Sequence, residues 1–206
     1  MIVIVDYGMG NMRSILKKFE MIKTNAIVSG DPNVLIKASK LVLPGVGHFA
    51  HGMENIRKHN LLSVLNKIVL EDKRPVLGVC LGMQLMAKHS EEGDVDGLGW
   101  FDAKVNRFNF ADEKEHLRVP HVGWNTIKIL KKECPLISGV EENTRFYFTH
   151  SYHFIFQQNS EVVANTSYGV PFPSIVQKEN IYGTQFHPEK SHAAGLRLYE
   201  NFCQFC

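Results

Sequence analysis

Pro75-Val76-Leu77-Gly78-Val79-Cys80-Leu81-Gly82-Met83-Gln84 carries the sharpest signal in the chain. The apolar run at 75–79 reads as a buried strand, and 82–89 reads as the helix that follows it. Cys80 stands at the junction, with glycine two residues before it and two after it. That is the G-x-nucleophile-x-G spacing of a nucleophile elbow, with cysteine in the serine position. A strained nucleophile backbone needs neighbours without side chains, because anything larger at 78 or 82 crowds the adjoining strand and helix. The start of the helix would lower the thiol pKa and present free amides, that of Leu81 first, to an oxyanion. The alternative is a structural cysteine between packing glycines. Two glycines at elbow spacing on a strand-to-helix junction favour the reactive reading.

The same strand-turn-helix rhythm extends outward. Ile2-Val3-Ile4-Val5 runs into the turn Asp6-Tyr7-Gly8-Met9-Gly10-Asn11, and 12–21 carries apolar residues close to helical spacing. Further strands are expected at 25–29 and 40–43, and a helix over 51–70 with a break near Asn60. Beyond residue 97 the strands lengthen, and turns at 141–143 and 158–160 read as hairpin connections. A terminal helix is expected at 196–205. The pattern predicts an α/β fold: three layers, a mostly parallel central sheet flanked by helices, with an added antiparallel strand portion. Its 206 residues fit one domain, 1–206, with no internal repeat or linker.

A cysteine thiol is mostly protonated at neutral pH and needs a base. Among ten histidines the best placed is His187, in Gly183-Thr184-Gln185-Phe186-His187-Pro188-Glu189. A strand ends there, and Glu189 can hold one ring nitrogen while the other serves Cys80. Alone, His-Pro-Glu also fits a surface loop, but the elbow demands a partner. His48, His51, His59, His89, His116 and His121 lack such a setting. His150 and His153 flank Ser151-Tyr152 at a strand end and read as substrate contacts or core. Leu41-Val42-Leu43-Pro44-Gly45-Val46-Gly47 is a buried strand entering a glycine turn. Amides of Gly45, Val46 and Gly47 can form a second oxyanion wall; a plain tight turn is the other reading. The turn lacks the G-K-[ST] ending of a phosphate loop.

Bulk properties narrow the class. Hydrophobic residues at 44% and charged residues at 21% describe a globular chain rather than a disordered one. A net charge of +2 is too weak to suggest a nucleic-acid footprint on its own, and the basic run at 128–132 is broken by Ile129 and Leu130. No apolar run is long enough to span a membrane, and the N-terminus reads as a strand, not a signal peptide. The expected location is therefore cytoplasmic, with all four cysteines as thiols. Cys203 and Cys206 form a lone C-x-x-C in neither a metal nor a redox context.

Together the elbow, the Pro44-Gly45-Val46-Gly47 turn and the His-Pro-Glu segment resemble the three signatures of the triad (class I) glutamine amidotransferases. Asp6-Tyr7-Gly8-Met9-Gly10-Asn11, Val119-Pro120-His121-Val122-Gly123-Trp124-Asn125 and Phe146-Tyr147-Phe148-Thr149-His150-Ser151-Tyr152 are similar to segments of the glutaminase subunit of imidazole glycerol phosphate synthase. The resemblance spans nearly the whole chain and implies a Cys80, His187, Glu189 triad that releases ammonia from glutamine. It implies that Gln84 and Gly47 hold the amino-acid end of the substrate, with the backbone of Ser151, Tyr152 and His153 nearby. It also implies a heterodimer with a (β/α)8-barrel synthase subunit, met by Trp124, Asn125 and Lys190, and no metal or organic cofactor. Ammonia would serve histidine biosynthesis. Three departures from the usual pattern, Trp100, Ser151-Tyr152-His153 and Lys190-Ser191-His192, are similar instead to paralogues that supply ammonia for amidination of bacterial surface-polysaccharide sugars.

Overall fold

The computed structural model of the chain describes residues 1–110 and 117–206, so His116 lies outside the described residues. In chain order the strands and helices are β1 (Ile2–Val5), α1 (Met12–Met21), β2 (Ala26–Ser29), α2 (Pro32–Leu35), β3 (Lys40–Leu43), α3 (Phe49–Lys58), α4 (Leu61–Asn66), β4 (Val76–Val79) and α5 (Leu81–Gln84). They continue with β5 (Ala87–Ser90), β6 (Val95–Asp96), β7 (Phe101–Arg107), β8 (His121–Thr126), β9 (Lys128–Ile129), β10 (Arg145–His150), β11 (Tyr152–Phe156), β12 (Val162–Tyr168), β13 (Val170–Lys178), β14 (Ile181–Thr184) and α6 (His192–Phe205).

The main sheet has eight strands in the order β2-β1-β3-β4-β14-β13-β12-β9. The first five are mutually parallel, and the last three join antiparallel. Alternation along the short strands feeds two cores. Val3 and Val5 of β1 enter one with Phe49, Met53, Ile56, Leu61 and Leu65 of α3 and α4. Ile2 and Ile4 enter the other with Ile15 and Phe19 of α1 and Leu198, Tyr199 and Phe202 of α6. Each such side chain contributes roughly 1.5–3 kcal/mol on leaving water, which is why strands of four residues persist here. Two smaller sheets, β10-β8 and β11-β7-β5-β6, form the added strand portion.

Several sequence expectations are corrected. The helix expected at 82–89 is the single turn α5, and the chain then becomes strand β5. Leu98, Phe101 and Gly99 donate to the carbonyls of Leu85, Met86 and Ala87, so bonding to the 98–101 segment displaces helical bonds that this local sequence would also support. The oxyanion argument therefore rests on the free amides of one turn, not on a long helix dipole. The helix expected over 51–70 divides at Asn60, which is left-handed at φ 57°, and ends in a π-helical turn at Lys67–Glu71. Neither turn expected as a hairpin is one. Residues 158–160 lead from β11 to β12, which lie in different sheets, and β9 leaves the β8–β10 pair before 141–143. The tight hairpins fall instead at Gly169, between β12 and β13, and at Glu179-Asn180, between β13 and β14. Trp100 is buried, and its Nε1 donates to Asn66 Oδ1 at 2.8 Å, so this departure is a satisfied core residue. Near the C-x-x-C, Lys40 Nζ donates to the carbonyls of Phe202 and Cys203 at 2.8 Å, fastening the end of α6. No described helix is long and apolar enough to cross a membrane.

Candidate active site

Parallel sheets bind ligands beyond the carboxyl ends of their strands. Here four neighbouring strands β1, β3, β4 and β14 end together and deliver Tyr7, the glycine turn, Cys80 and His187 to one place. Cys80 has φ 53° and ψ −110°, an unfavourable conformation for a side chain with a Cβ. The close approach that forces the elbow is measurable. A Cβ at position 82 would lie 1.8 Å from the Leu43 carbonyl oxygen, and one at 78 would lie 2.8 Å from Met83 Cα. Both flanking glycines therefore answer to backbone contacts, one with β3 and one with α5.

His187 leaves β14 and is held by its own amide, which donates to the Tyr147 carbonyl at 2.9 Å. Its carbonyl accepts from Ser191 Oγ at 2.6 Å. Its Nδ1 faces Glu189 Oε1 at 2.8 Å, with both side chains almost wholly buried. Nε2 is buried and makes no hydrogen bond of ordinary geometry, yet it lies within reach of Cys80. Burial would push the imidazole down, but the adjoining Cys80 sulfur and the Glu189 carboxylate outweigh that and carry His187 up to about 10. That direction favours an imidazolium beside the sulfur, a charge arrangement suited to a thiolate nucleophile. The second Glu189 oxygen, Oε2, also lacks a partner among the described residues.

Cys80 opens on a cavity of about 280 Å³ lined by Val46, Gly47, Leu81, Gln84, Glu92 and the 149–152 segment. That is just under the roughly 300–1,000 Å³ of pockets for drug-sized ligands, a fit for a small metabolite. The Leu81 amide begins α5 and so has no helical acceptor. Val46 is 42% exposed at the rim, and among the described residues its amide and that of Gly47 donate to nothing. Of the sequence candidates, Val46, Gly47, Leu81, Gln84, Ser151 and Tyr152 converge here. Gly45 and His153 do not. Gly45 is packed under Leu81, Gly82 and the Tyr7 hydroxyl. The His153 ring stacks on Phe108 at 4.5 Å and lines a separate cavity with Asn106 and Phe156.

Glu92 and Tyr7 belong to the site and escaped the sequence reading. Among the described residues Glu92 is the one carboxylate in the cavity wall, anchored by the Phe49 amide at 2.8 Å. Nothing in Glu91-Glu92-Gly93 distinguishes it from a solvated turn. Tyr7 is fully buried, and its hydroxyl donates to the Pro44 carbonyl at 2.6 Å, bracing the glycine turn. Of the remaining histidines, His48 caps α3 and His89 pairs with Asp94 and Asp96 at the surface.

His121 and His150 form a buried pair, 3.2 Å apart, stacked among aromatic rings. Burial holds His121 down to about 4 and His150 to about 3. The unfolded chain takes up these protons near pH 6.5, the folded chain only near 4 and 3. The pair's stability is thus fully present above about pH 6.5 and declines as the pH falls toward 3, by an amount on the order of a few kcal/mol. Urea melts at pH 7.5 and 5.0 measure the upper part of that loss. His121→Phe keeps the stacks on Tyr168 and Phe148 and is expected to flatten the slope. An unchanged slope would contradict burial of a neutral His121.

The residues proposed to meet a partner separate as well. Trp124 is 38% exposed and stacks on His192 at 5.1 Å, and Lys190 lies 5.4 Å over the Tyr147 ring. Asn125 turns inward instead, donating to the Ser167 carbonyl at 2.9 Å. Among the described residues no three His, Cys, Asp or Glu side chains converge as a metal site.

The comparisons with known proteins bear on the fold and the family. The family model for class-I glutamine amidotransferases matches residues 3–204. A protein of Methanococcus maripaludis named imidazole glycerol phosphate synthase subunit HisH 2 is 46% identical, over 98% of each chain. A Pseudomonas aeruginosa protein of the same name is 42% identical, over 99% of each. Among solved structures, one described as a glutamine amidotransferase superposes with a TM-score of 0.76 at 20% identity, covering 98% of this chain and 97% of its own. Fold, glycine elbow and full-length similarity converge on one statement: this chain belongs to the class-I glutamine amidotransferase family.

Proposed function

We propose that the chain, as a single domain over residues 1–206, is the glutaminase subunit of an imidazole glycerol phosphate synthase. In this reading it hydrolyses glutamine to glutamate and ammonia and passes the ammonia to a (β/α)8-barrel partner for histidine biosynthesis. The observation that carries the reading is the buried His187–Glu189 pair behind Cys80, with Nε2 unengaged, opening on a metabolite-sized cavity. Relatives named as subunits of that synthase, 40–46% identical over essentially the full length, support the pathway.

The chemistry follows from the placement. The Cys80 thiolate attacks the side-chain amide carbon of glutamine, and the developing oxyanion takes N–H bonds from Leu81 and the 46–47 turn. His187 gives its proton to the leaving nitrogen, the C–N bond breaks, and ammonia departs from a glutamyl thioester. The now neutral His187 takes a proton from water, whose oxygen attacks the thioester and releases glutamate and the thiolate. Glu189 keeps the imidazole oriented and balances its charge. Gln84 and the 151–152 backbone hold the amino-acid end, and Glu92 pairs with the substrate ammonium. The patch of Trp124, Tyr147, His192 and Lys190 meets the barrel subunit.

Glu189→Gln keeps the shape of the pair but loses the charge that supports imidazolium. It is expected to lower kcat by roughly 10²–10⁴-fold, with KM changing little. Steady-state ammonia release measures the split, and a loss confined to KM would remove Glu189 from the triad. The test of the whole reading is co-purification with the cognate barrel, then a glutaminase assay with and without the barrel's nucleotide. Weak hydrolysis by the chain alone and much faster hydrolysis in the complex are expected. Failure of the pair to rescue a histidine auxotroph would redirect the ammonia to another acceptor, such as a surface-polysaccharide sugar.

A further inference from the structure

Gln185 is fully buried and belongs to none of the roles above. Its amide donates to the Ser174 carbonyl at 3.0 Å, which fixes the backbone between β14 and His187. Its side chain lies between Gln84 and the nucleophile. Gln84 Nε2 donates to Gln185 Oε1 at 3.1 Å, and Gln185 Nε2 donates to Cys80 Sγ at 3.8 Å.

The direction of this chain is dictated from its far end. The Tyr152 carbonyl can only accept, and it lies 2.8 Å from the Gln84 side-chain nitrogen. That side of the Gln84 amide must therefore be its NH2. The same NH2 meets Gln185, which must answer with oxygen. The Gln185 NH2 is then turned toward the sulfur. Reversing Gln185 would set two NH2 groups against each other and place an oxygen against the sulfur. His150 Nδ1 also lies 2.8 Å from the Tyr152 carbonyl and must donate to it, so both lone pairs of that oxygen are engaged and the anchor is fully used.

The sulfur is thus required to accept. As a thiol it has an acceptor of its own, the Thr149 carbonyl at 3.9 Å. As a thiolate it has no proton for Thr149 and needs donors. We propose that Gln185 is a further catalytic residue, whose carboxamide donates to the Cys80 sulfur and favours the thiolate, held in that orientation by Gln84 and the Tyr152 carbonyl. Its part in turnover rests on the glutaminase reading, whereas its contact with sulfur does not. Gln84 and Tyr152 also line the cavity, so the residues that face the substrate are those that aim the donor.

The test is alkylation of the full chain by iodoacetamide between pH 5 and 9, read by mass spectrometry on the peptide that carries Cys80. Gln185→Met fills a similar volume without an N–H. It is expected to move the pH midpoint of Cys80 alkylation up by about one unit, slowing alkylation by up to about tenfold at pH values below the midpoint, the scale of one lost hydrogen bond to a charged group. Gln84→Met leaves the Gln185 donor in place but frees its orientation, and an intermediate slowing of about threefold below the midpoint is expected. Cys203 alkylation and the melting temperature report on folding. A folded Gln185→Met with the wild-type midpoint overturns the proposal. If that variant does not fold, wild-type alkylation of Gln84→Met overturns it. Failure of the glutaminase reading looks different: no ammonia from the wild-type complex while the alkylation shift in Gln185→Met persists.

Discussion

Cys80→Ala is expected to lower glutamine hydrolysis by at least about 10³-fold, while synthesis driven by added ammonium salts in the barrel complex stays intact. The asymmetry follows from where the residues sit. Every group proposed for amide cleavage lies at the strand ends of this chain, and none of the acceptor chemistry does. Removing the sulfur removes the covalent step but leaves Leu81, the 46–47 turn and the cavity in place. A second readout comes from the backbone. At φ 53° and ψ −110° any residue with a Cβ is strained, so Cys80→Gly is expected to be more stable than Cys80→Ala by about 1 kcal/mol although both are inactive. Denaturant melts of the two variants measure that difference. Ammonia release from Cys80→Ala within tenfold of wild type would sink the assignment of the nucleophile.

How far the sequence carried this picture depends on the range of each interaction. The parallel strands were legible because burial on both faces leaves uninterrupted apolar runs, as in Ile2-Val3-Ile4-Val5 and Leu41-Val42-Leu43. Cys80 was legible because it stands between an apolar run and the elbow glycine, and His187 because Pro188 and Glu189 follow it at a strand's end. What failed was decided by partners far along the chain. Nothing within 82–89 announces that Leu85, Met86 and Ala87 will be bonded by the 98–101 segment. Residues 158–160 look like any hairpin turn, but the flanking strands join different sheets. Glu92 and Gln185 were missed for the same reason. Each acquires its meaning from a neighbour, Glu92 from the cavity around Cys80 and Gln185 from the Gln84 amide that orients it. His153 shows the converse: its setting left substrate contact and core both open, and the stack on Phe108 takes its ring into the core.

Gly82→Ala is expected to be severely destructive, costing upward of about 4 kcal/mol and giving little soluble protein. The added Cβ would stand 1.8 Å from the Leu43 carbonyl oxygen and 2.7 Å from its carbon. That carbonyl cannot retreat cheaply, because β3 is clamped between β1 and β4. Nor can residue 82 retreat, since moving it shifts Cys80 and the first-turn amides. Gly139 is the control. It has φ +69° with nothing within 4 Å of its absent Cβ, so Gly139→Ala bears only the conformational penalty, about 1 kcal/mol. Urea midpoints of the two variants separate collision from conformation. Equal, mild losses would mean that the elbow does not press against β3. The expected large gap would mean that the glycine after the nucleophile is kept by the sheet, and that the oxyanion amides stand where that contact puts them.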